Sequence, residues 1–175
     1  MTHQLIQSIK LSAASKKLLA EATRKRDELL VLSSAIAPDR PGRTSDLHRI
    51  ADEAVAAFWA APSREFADAA HDALVRNRDA QVSFDVLNEG IHRTLPKAAR
   101  IAEAAALQVI DDAVAELNRQ HEAAVAAAPS GGVFTTKAQL DNQHTTALQE
   151  LMGERNAVLT GDPLHWLECH GFAAD

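Results

Sequence analysis

The sequence predicts an all-α protein, a helical bundle with long antiparallel helices and an extended N-terminal helical arm. The chain has 35 alanines among 175 residues, and alanine has the highest intrinsic helix propensity. Its six prolines fall where helices are expected to begin or end, as expected of a residue that helix interiors exclude. No strand pattern and no internal repeat accompanies these signals.

The N-terminal segment predicts one long basic helix followed by a linker. Residues 4–36 contain neither glycine nor proline, which favours an unbroken helix about 50 Å long. Ser15 and Lys25 interrupt its apolar face, so it is a poor core helix by itself. Residues 37–43 are rich in proline and charge and predict an extended linker.

The next part of the chain contains candidate N-caps for two helices. Thr44 or Ser45 can cap a helix that Pro62 ends, and Ser63 can cap the helix that follows. Whether residues 63–95 form one helix or two is left open by a polar run in their middle.

The clearest helical pattern follows Pro96, which suits the first turn of a helix that runs to about Ala128. Apolar positions recur there at intervals of three and four residues and predict a seam that faces a partner helix. The residues of this predicted seam are Leu107, Ile110, Val114, Leu117 and His121.

Beyond a turn at residues 129–132, a helix is predicted from Thr135 or Thr136 to Gly161. The short segment after it, residues 162–175, contains one of the two tryptophans. We call it the C-terminal hook and expect another surface to cover its apolar side chains. Docking on its own bundle and docking on a neighbouring subunit are both open readings. The apolar residues of this C-terminal hook are Leu164, Trp166, Leu167 and Phe172.

These boundaries predict three parts of the chain: residues 1–43, 44–161 and 162–175. Net charge is −6, but the first part carries +4, which leaves −10 for the rest. Its basic cluster could meet nucleic acid phosphates, the acidic surface of a neighbouring copy, or only solvent. The cluster consists of Lys16, Lys17, Arg24, Lys25 and Arg26.

Candidate metal ligands are present, but no pattern among them is specific. A carboxylate lies three residues before a histidine at Asp68 and His71, Glu89 and His92, and Asp141 and His144. His121 and His144 occupy helix seams and could be ligands, pH-sensitive joints or ordinary core histidines.

A third group, His165, Cys169 and His170, lacks a zinc-type spacing. We therefore predict no catalytic, cofactor or metal site.

The expected function is a non-enzymatic structural or assembly protein, a helical subunit that oligomerises or bridges proteins in a larger complex. A phage or virus-like particle component, such as a connector or scaffolding-type subunit, is one concrete form. The alternative is a nucleic-acid-associated regulator or packaging factor that uses the basic cluster, and a helical metal-binding enzyme comes third. A single cysteine and the lack of a long apolar run favour a cytoplasmic or virion location without a membrane. The sequence identifies no small-molecule substrate.

Overall fold

The computed structural model describes residues 2–36, 41–128 and 133–172 and shows an all-α helical bundle. These residues contain six helices and no strand. The helices are α1 (Thr2–Ser8), α2 (Ala13–Ile36), α3 (Pro41–Ala60), α4 (Arg64–Ala127), α5 (Val133–Thr160) and α6 (Pro163–Cys169). The predicted fold class is confirmed, while residues 37–40 of the predicted linker and the predicted turn at 129–132 lie outside the described residues.

The predicted N-terminal helix is interrupted between Ser8 and Ala13. Ser12 caps α2, because its Oγ accepts a hydrogen bond from the backbone N–H of Ser15 at 3.1 Å. The carboxylate of Asp112 in α4 accepts hydrogen bonds from the Ser12 backbone N–H at 2.7 Å and from the Ser15 hydroxyl at 2.6 Å. The expectation of one unbroken helix was wrong, since a carboxylate 100 residues away completes this cap.

Helix α3 begins at Pro41, three residues before the predicted cap. The pre-set φ of proline suits the first position of a helix, where its missing N–H has no partner to lose. The last residues of the predicted linker are thus helical. Ser63 caps α4 as predicted, with its Oγ accepting from the N–H of Phe66 at 3.2 Å.

Helix α4 is continuous for 64 residues and contains Pro96 in its interior. The prediction that Pro96 opens a new helix was therefore wrong, and residues 64–95 belong to one helix. A proline inside a helix loses one hydrogen bond and crowds the preceding turn. Thr94 and Ala98, on either side of it, are both buried, so packing holds the helical backbone on both sides of the proline.

The C-terminal helix is capped at both ends. The Asp162 carboxylate accepts from the backbone N–H groups of Leu164 and His165 at 3.0 and 3.4 Å, and Pro163 occupies the first helical position. Gly171 takes a positive φ of 76°, which glycine adopts without strain. Two hydrogen bonds close a Schellman motif there, from Phe172 N–H to the Leu167 carbonyl and from Gly171 N–H to the Glu168 carbonyl.

The chain forms two compact units. The first unit comprises Met1–Arg26 and Pro96–Asp175, and the second unit comprises Asp27–Leu95. The predicted division at residues 43 and 161 rests on helix breakers and stays a prediction, because contacts within the chain group the residues differently.

The first unit holds the hydrophobic core. Its buried residues come from α1, α2, α4, α5 and α6, and many of them are alanines that allow close helix approach. They are Ile6, Ala22, Ala102, Ala105, Ala106, Val109, Ile110, Ala113, Leu151, Val158, Trp166 and Leu167. The N-terminal residues up to Arg26 therefore pack on their own chain, which the sequence left open.

Candidate functional site

The basic cluster does not present its five charges on one surface. Lys16, Lys17 and Arg24 are exposed on α2, whereas Lys25 and Arg26 are half-buried. Lys25 and Arg26 both take part in interactions within the structure. Three exposed charges remain available to a partner, and only Lys17 and Arg24, seven residues apart, share a helix face.

The predicted helix seam of α4 is packed within the chain. Ile110 is fully buried, and the flanking leucines and Val114 pack partly buried against the core. Helix α5 runs antiparallel to this part of α4, as the 2.7 Å pair between Arg155 Nη1 and Asp111 Oδ1 and the contact between His144 and Asn118 show. The seam does face a partner helix, and among the described residues that helix belongs to the same chain.

The C-terminal hook also docks on its own unit. Trp166 and Leu167 are 7% and 4% exposed, and the indole Nε1 of Trp166 donates to Glu154 Oε2 at 2.8 Å. His170 stacks on the Trp166 ring with 4.0 Å between centroids. Burying the indole in its own core satisfies both its ring and its N–H, so these two residues follow the first of the two readings that the sequence left open. Leu164 and Phe172 are partly buried beside them.

Removal of the Glu154 carboxylate should loosen this hook. We expect Glu154→Ala to lower the free energy of unfolding by about 1 kcal/mol, because the buried indole N–H of Trp166 loses its acceptor. Urea denaturation followed by circular dichroism measures the change. Glu168→Ala, an exposed carboxylate on α6, is the control and should change stability by less than about 0.5 kcal/mol. Equal effects of the two variants would contradict the assigned hydrogen bond.

Two histidines that the sequence placed on separate seams meet between α4 and α5. The rings of His121 and His144 stack with 4.2 Å between centroids and 17° between planes. His121 Nε2 lies 3.2 Å from Asp141 Oδ1, and His144 Nε2 lies 2.8 Å from Asn118 Oδ1. Nitrogen lone pairs lie in the ring plane, so stacked imidazoles do not direct them to one point.

The remaining candidate ligands do not converge either. His71, His92 and their carboxylate neighbours are exposed, as the sequence indicated. Cys169 Sγ lies 3.4 Å from His165 Nε2 on the surface, while His170 is buried with its Nδ1 2.9 Å from the Trp166 carbonyl oxygen. Within the described part of the chain, no three histidine, cysteine or carboxylate side chains are placed to hold a metal ion.

The large exposed apolar side chains of the second unit are the feature that sequence reasoning missed. Of the twelve large hydrophobic residues that are exposed in the described ranges, ten belong to this unit, with exposures from 41% to 74%. These ten are Leu30, Val31, Ile50, Trp59, Phe66, Leu74, Val75, Val82, Val86 and Leu95. The apolar residues that the unit buries are only Ala51 and Ala70 among those described.

For three of these residues the sequence carries a signal. Val75, Val82 and Val86 are seven and four residues apart, which places them on one helix face. Charged residues stand between these valines in the sequence, so the average hydropathy of the segment does not show the pattern.

Comparisons with known proteins give no functional lead. No protein-family model, no curated protein and no solved structure matches the chain. Across residues 2–36, 41–128 and 133–172, none of the helices combines the length and the apolar character needed to cross a membrane.

Proposed function

We propose that this protein is a non-enzymatic structural subunit that associates with further copies of itself through the second unit. One observation carries the proposal: among its described residues, the second unit exposes ten large hydrophobic side chains, while the apolar residues that it fully buries are two alanines. Burial of large apolar side chains is the main source of folding stability, and alanine supplies little of it. We therefore expect the second unit to bury further apolar side chains against a partner.

The ten exposed side chains do not form one face, because Phe66 and Leu95 lie about half a turn of α4 away from Val75, Val82 and Val86. A partner that covers one of these faces removes part of the exposed apolar area from water.

Helices α3 and α4 also leave an open groove between them, with Leu47, Ile50 and Ala73 in its walls. Trp59, at 74% exposure, is the most exposed of the ten, and tryptophan is enriched among residues that dominate binding energy.

A second copy is the occupant that we propose, because each copy presents the same exposed apolar side chains, and a symmetric dimer joins identical patches of its two subunits. The predicted seam and hook pack inside the first unit, so we do not expect them to bind a second copy. An assembly subunit of this kind is compatible with a connector or scaffolding-type component of a phage or virus-like particle, by analogy of helix content. A cytoplasmic or virion location belongs to the same proposal.

Light scattering on the full chain tests the proposal. We expect a mass of at least twice the 18.8 kDa of one chain at micromolar concentration, maintained when salt is raised because apolar contacts are not screened. The double variant Leu30→Gln, Trp59→Gln should shift the protein toward monomer. Its matched control, Met152→Gln, Leu159→Gln, alters two exposed hydrophobic residues of the first unit and should leave the mass unchanged.

A monomer at every concentration and salt would overturn self-association. Dissociation by the control pair as readily as by the test pair would overturn the assignment to the second unit.

Nucleic acid binding is a second candidate, favoured by the exposure of Lys16, Lys17 and Arg24. Contacts between these residues and phosphates would make affinity for duplex DNA fall steeply with added salt. Replacement of all three by alanine should then weaken binding at 50 mM salt, and undetectable binding by the unaltered protein would remove this candidate.

A further inference from the structure

Two titratable rings meet where α4 packs against α5. The imidazoles of His121 and His144 lie face to face, with 4.2 Å between their centroids and 17° between their planes. We call these two residues the histidine pair. An imidazole carries either no charge or one positive charge near neutral pH, so the pair has an uncharged, a singly charged and a doubly charged form.

The two rings have unequal partners. His121 Nε2 lies 3.2 Å from the carboxylate oxygen Oδ1 of Asp141, and 21% of the His121 side chain is exposed. His144 Nε2 lies 2.8 Å from the amide oxygen Oδ1 of Asn118, which is a neutral acceptor. A carboxylate beside an imidazole favours its charged form more strongly than a neutral amide does. The first proton that the pair takes up is therefore held by His121.

Two further charged groups line the open groove beside the pair, Glu122 of α4 and Lys137 of α5. They carry opposite charges, so their effects on the pair oppose each other. Among the described residues, no carboxylate forms an ion pair with His144. When a second proton binds to His144, Asp141 therefore offsets one of two positive charges.

A charge on both rings opposes their stacking. Two positive charges about 4 Å apart repel each other, and the repulsion is stronger in a partly buried contact than in water. Both rings are partly buried here, whereas unfolding separates them. We infer that the histidine pair is a pH-sensitive joint between α4 and α5, which stays closed with one charge and is opened by the second proton. The joint lies in the first unit, so this inference stands apart from the proposed self-association.

NMR titration of the unaltered full chain measures proton uptake by the pair. We expect His121 and His144 to take up their protons in two steps that differ at least tenfold in proton concentration, with His121 first. The variants His121→Gln and His144→Gln should each leave a single step for the remaining ring. Two steps that coincide, or uptake by His144 first, would contradict the inference.

Amide hydrogen exchange measures the opening of the joint. We expect the protection factors of amides in residues 118–125 of α4 and 140–148 of α5 to fall at least tenfold from pH 8 to pH 5, relative to the intrinsic rate at each pH. In His144→Gln, which keeps a neutral amide donor for Asn118, they should change less than threefold. His71→Gln alters an exposed histidine of the second unit, and this control should lose protection as the unaltered protein does.

Each outcome supports or overturns the joint. Protection that stays constant from pH 8 to pH 5 overturns it. An equal loss in His144→Gln and in the unaltered protein also overturns it, because another group then causes the opening. If His144→Gln does not fold, His121→Gln tests the same point, since either substitution leaves one ring to be protonated. A monomer in light scattering overturns the proposed function and leaves the joint standing.

Discussion

Replacement of Leu151 by alanine is expected to lower the free energy of unfolding by about 2–5 kcal/mol. Leu151 is fully buried in the core of the first unit, where α5 meets α4 and the terminal helices. The core is lined by alanines such as Ala102 and Ala105, whose short side chains cannot move to fill a cavity. The lost transfer free energy therefore adds to a cavity that remains largely open. Urea denaturation followed by circular dichroism measures the effect.

Leu159→Ala is the matched control for this prediction. Leu159 lies on the same helix, but it is 55% exposed, so its truncation should cost less than about 0.5 kcal/mol. A loss below about 1 kcal/mol for Leu151→Ala, or equal losses for the two variants, would contradict the placement of Leu151 in the core.

The parts of the fold that the sequence predicted depend on neighbouring residues. Ser63 as the cap of α4, Gly161 after α5, and Asp162 with Pro163 at the start of α6 each act within a few residues of their own position. Local capping rules are therefore sufficient for them. The all-α class followed from propensity in the same way.

The parts that the sequence did not predict depend on distant contacts. The interruption between α1 and α2 depends on Asp112, and its capping role could not be read from residues 8–13. The continuity of α4 through Pro96 depends on packing on both sides of the proline, which outweighs the local cost.

The buried face of α4 is formed more by small residues such as Ala105 and Val109 than by the larger side chains of the predicted seam. Close approach of alanine-lined helices explains this difference.

The candidate sites also depend on contacts between distant residues, which the sequence does not show. His121 and His144 could each be placed on a helix face, but their stacking depends on the register between α4 and α5, which the sequence does not display. Val75, Val82 and Val86 have a readable spacing, yet only the burial of the opposite face shows which side of the helix is exposed.

Asp112→Ala is expected to destabilise the protein by about 2–3 kcal/mol at neutral pH. The substitution removes the acceptor of the Ser12 backbone N–H and of the hydroxyl of Ser15, a residue that is fully buried. It also removes a negative charge from the N-terminal end of α2, where the helix dipole favours one. Urea denaturation at pH 7 measures the loss. A cycle with Ser15→Ala should give a coupling energy of about 1 kcal/mol, since the two side chains share a hydrogen bond.

The pH dependence of stability tests the charge of this carboxylate. Burial by itself would raise the pKa of Asp112, but hydrogen bonds from Ser15 and Ser12 favour the carboxylate and together hold this pKa below its ordinary value of 3.8. The stabilisation is therefore complete above about pH 4 and is lost as pH falls through the lower pKa of the folded state. We expect the stability difference between the unaltered protein and Asp112→Asn to be constant from pH 7 to about pH 5 and to shrink below pH 4. A difference that stays constant down to pH 3 would mean that Asp112 joins α2 to α4 as a neutral hydrogen-bond acceptor, and that its charge contributes nothing to the cap.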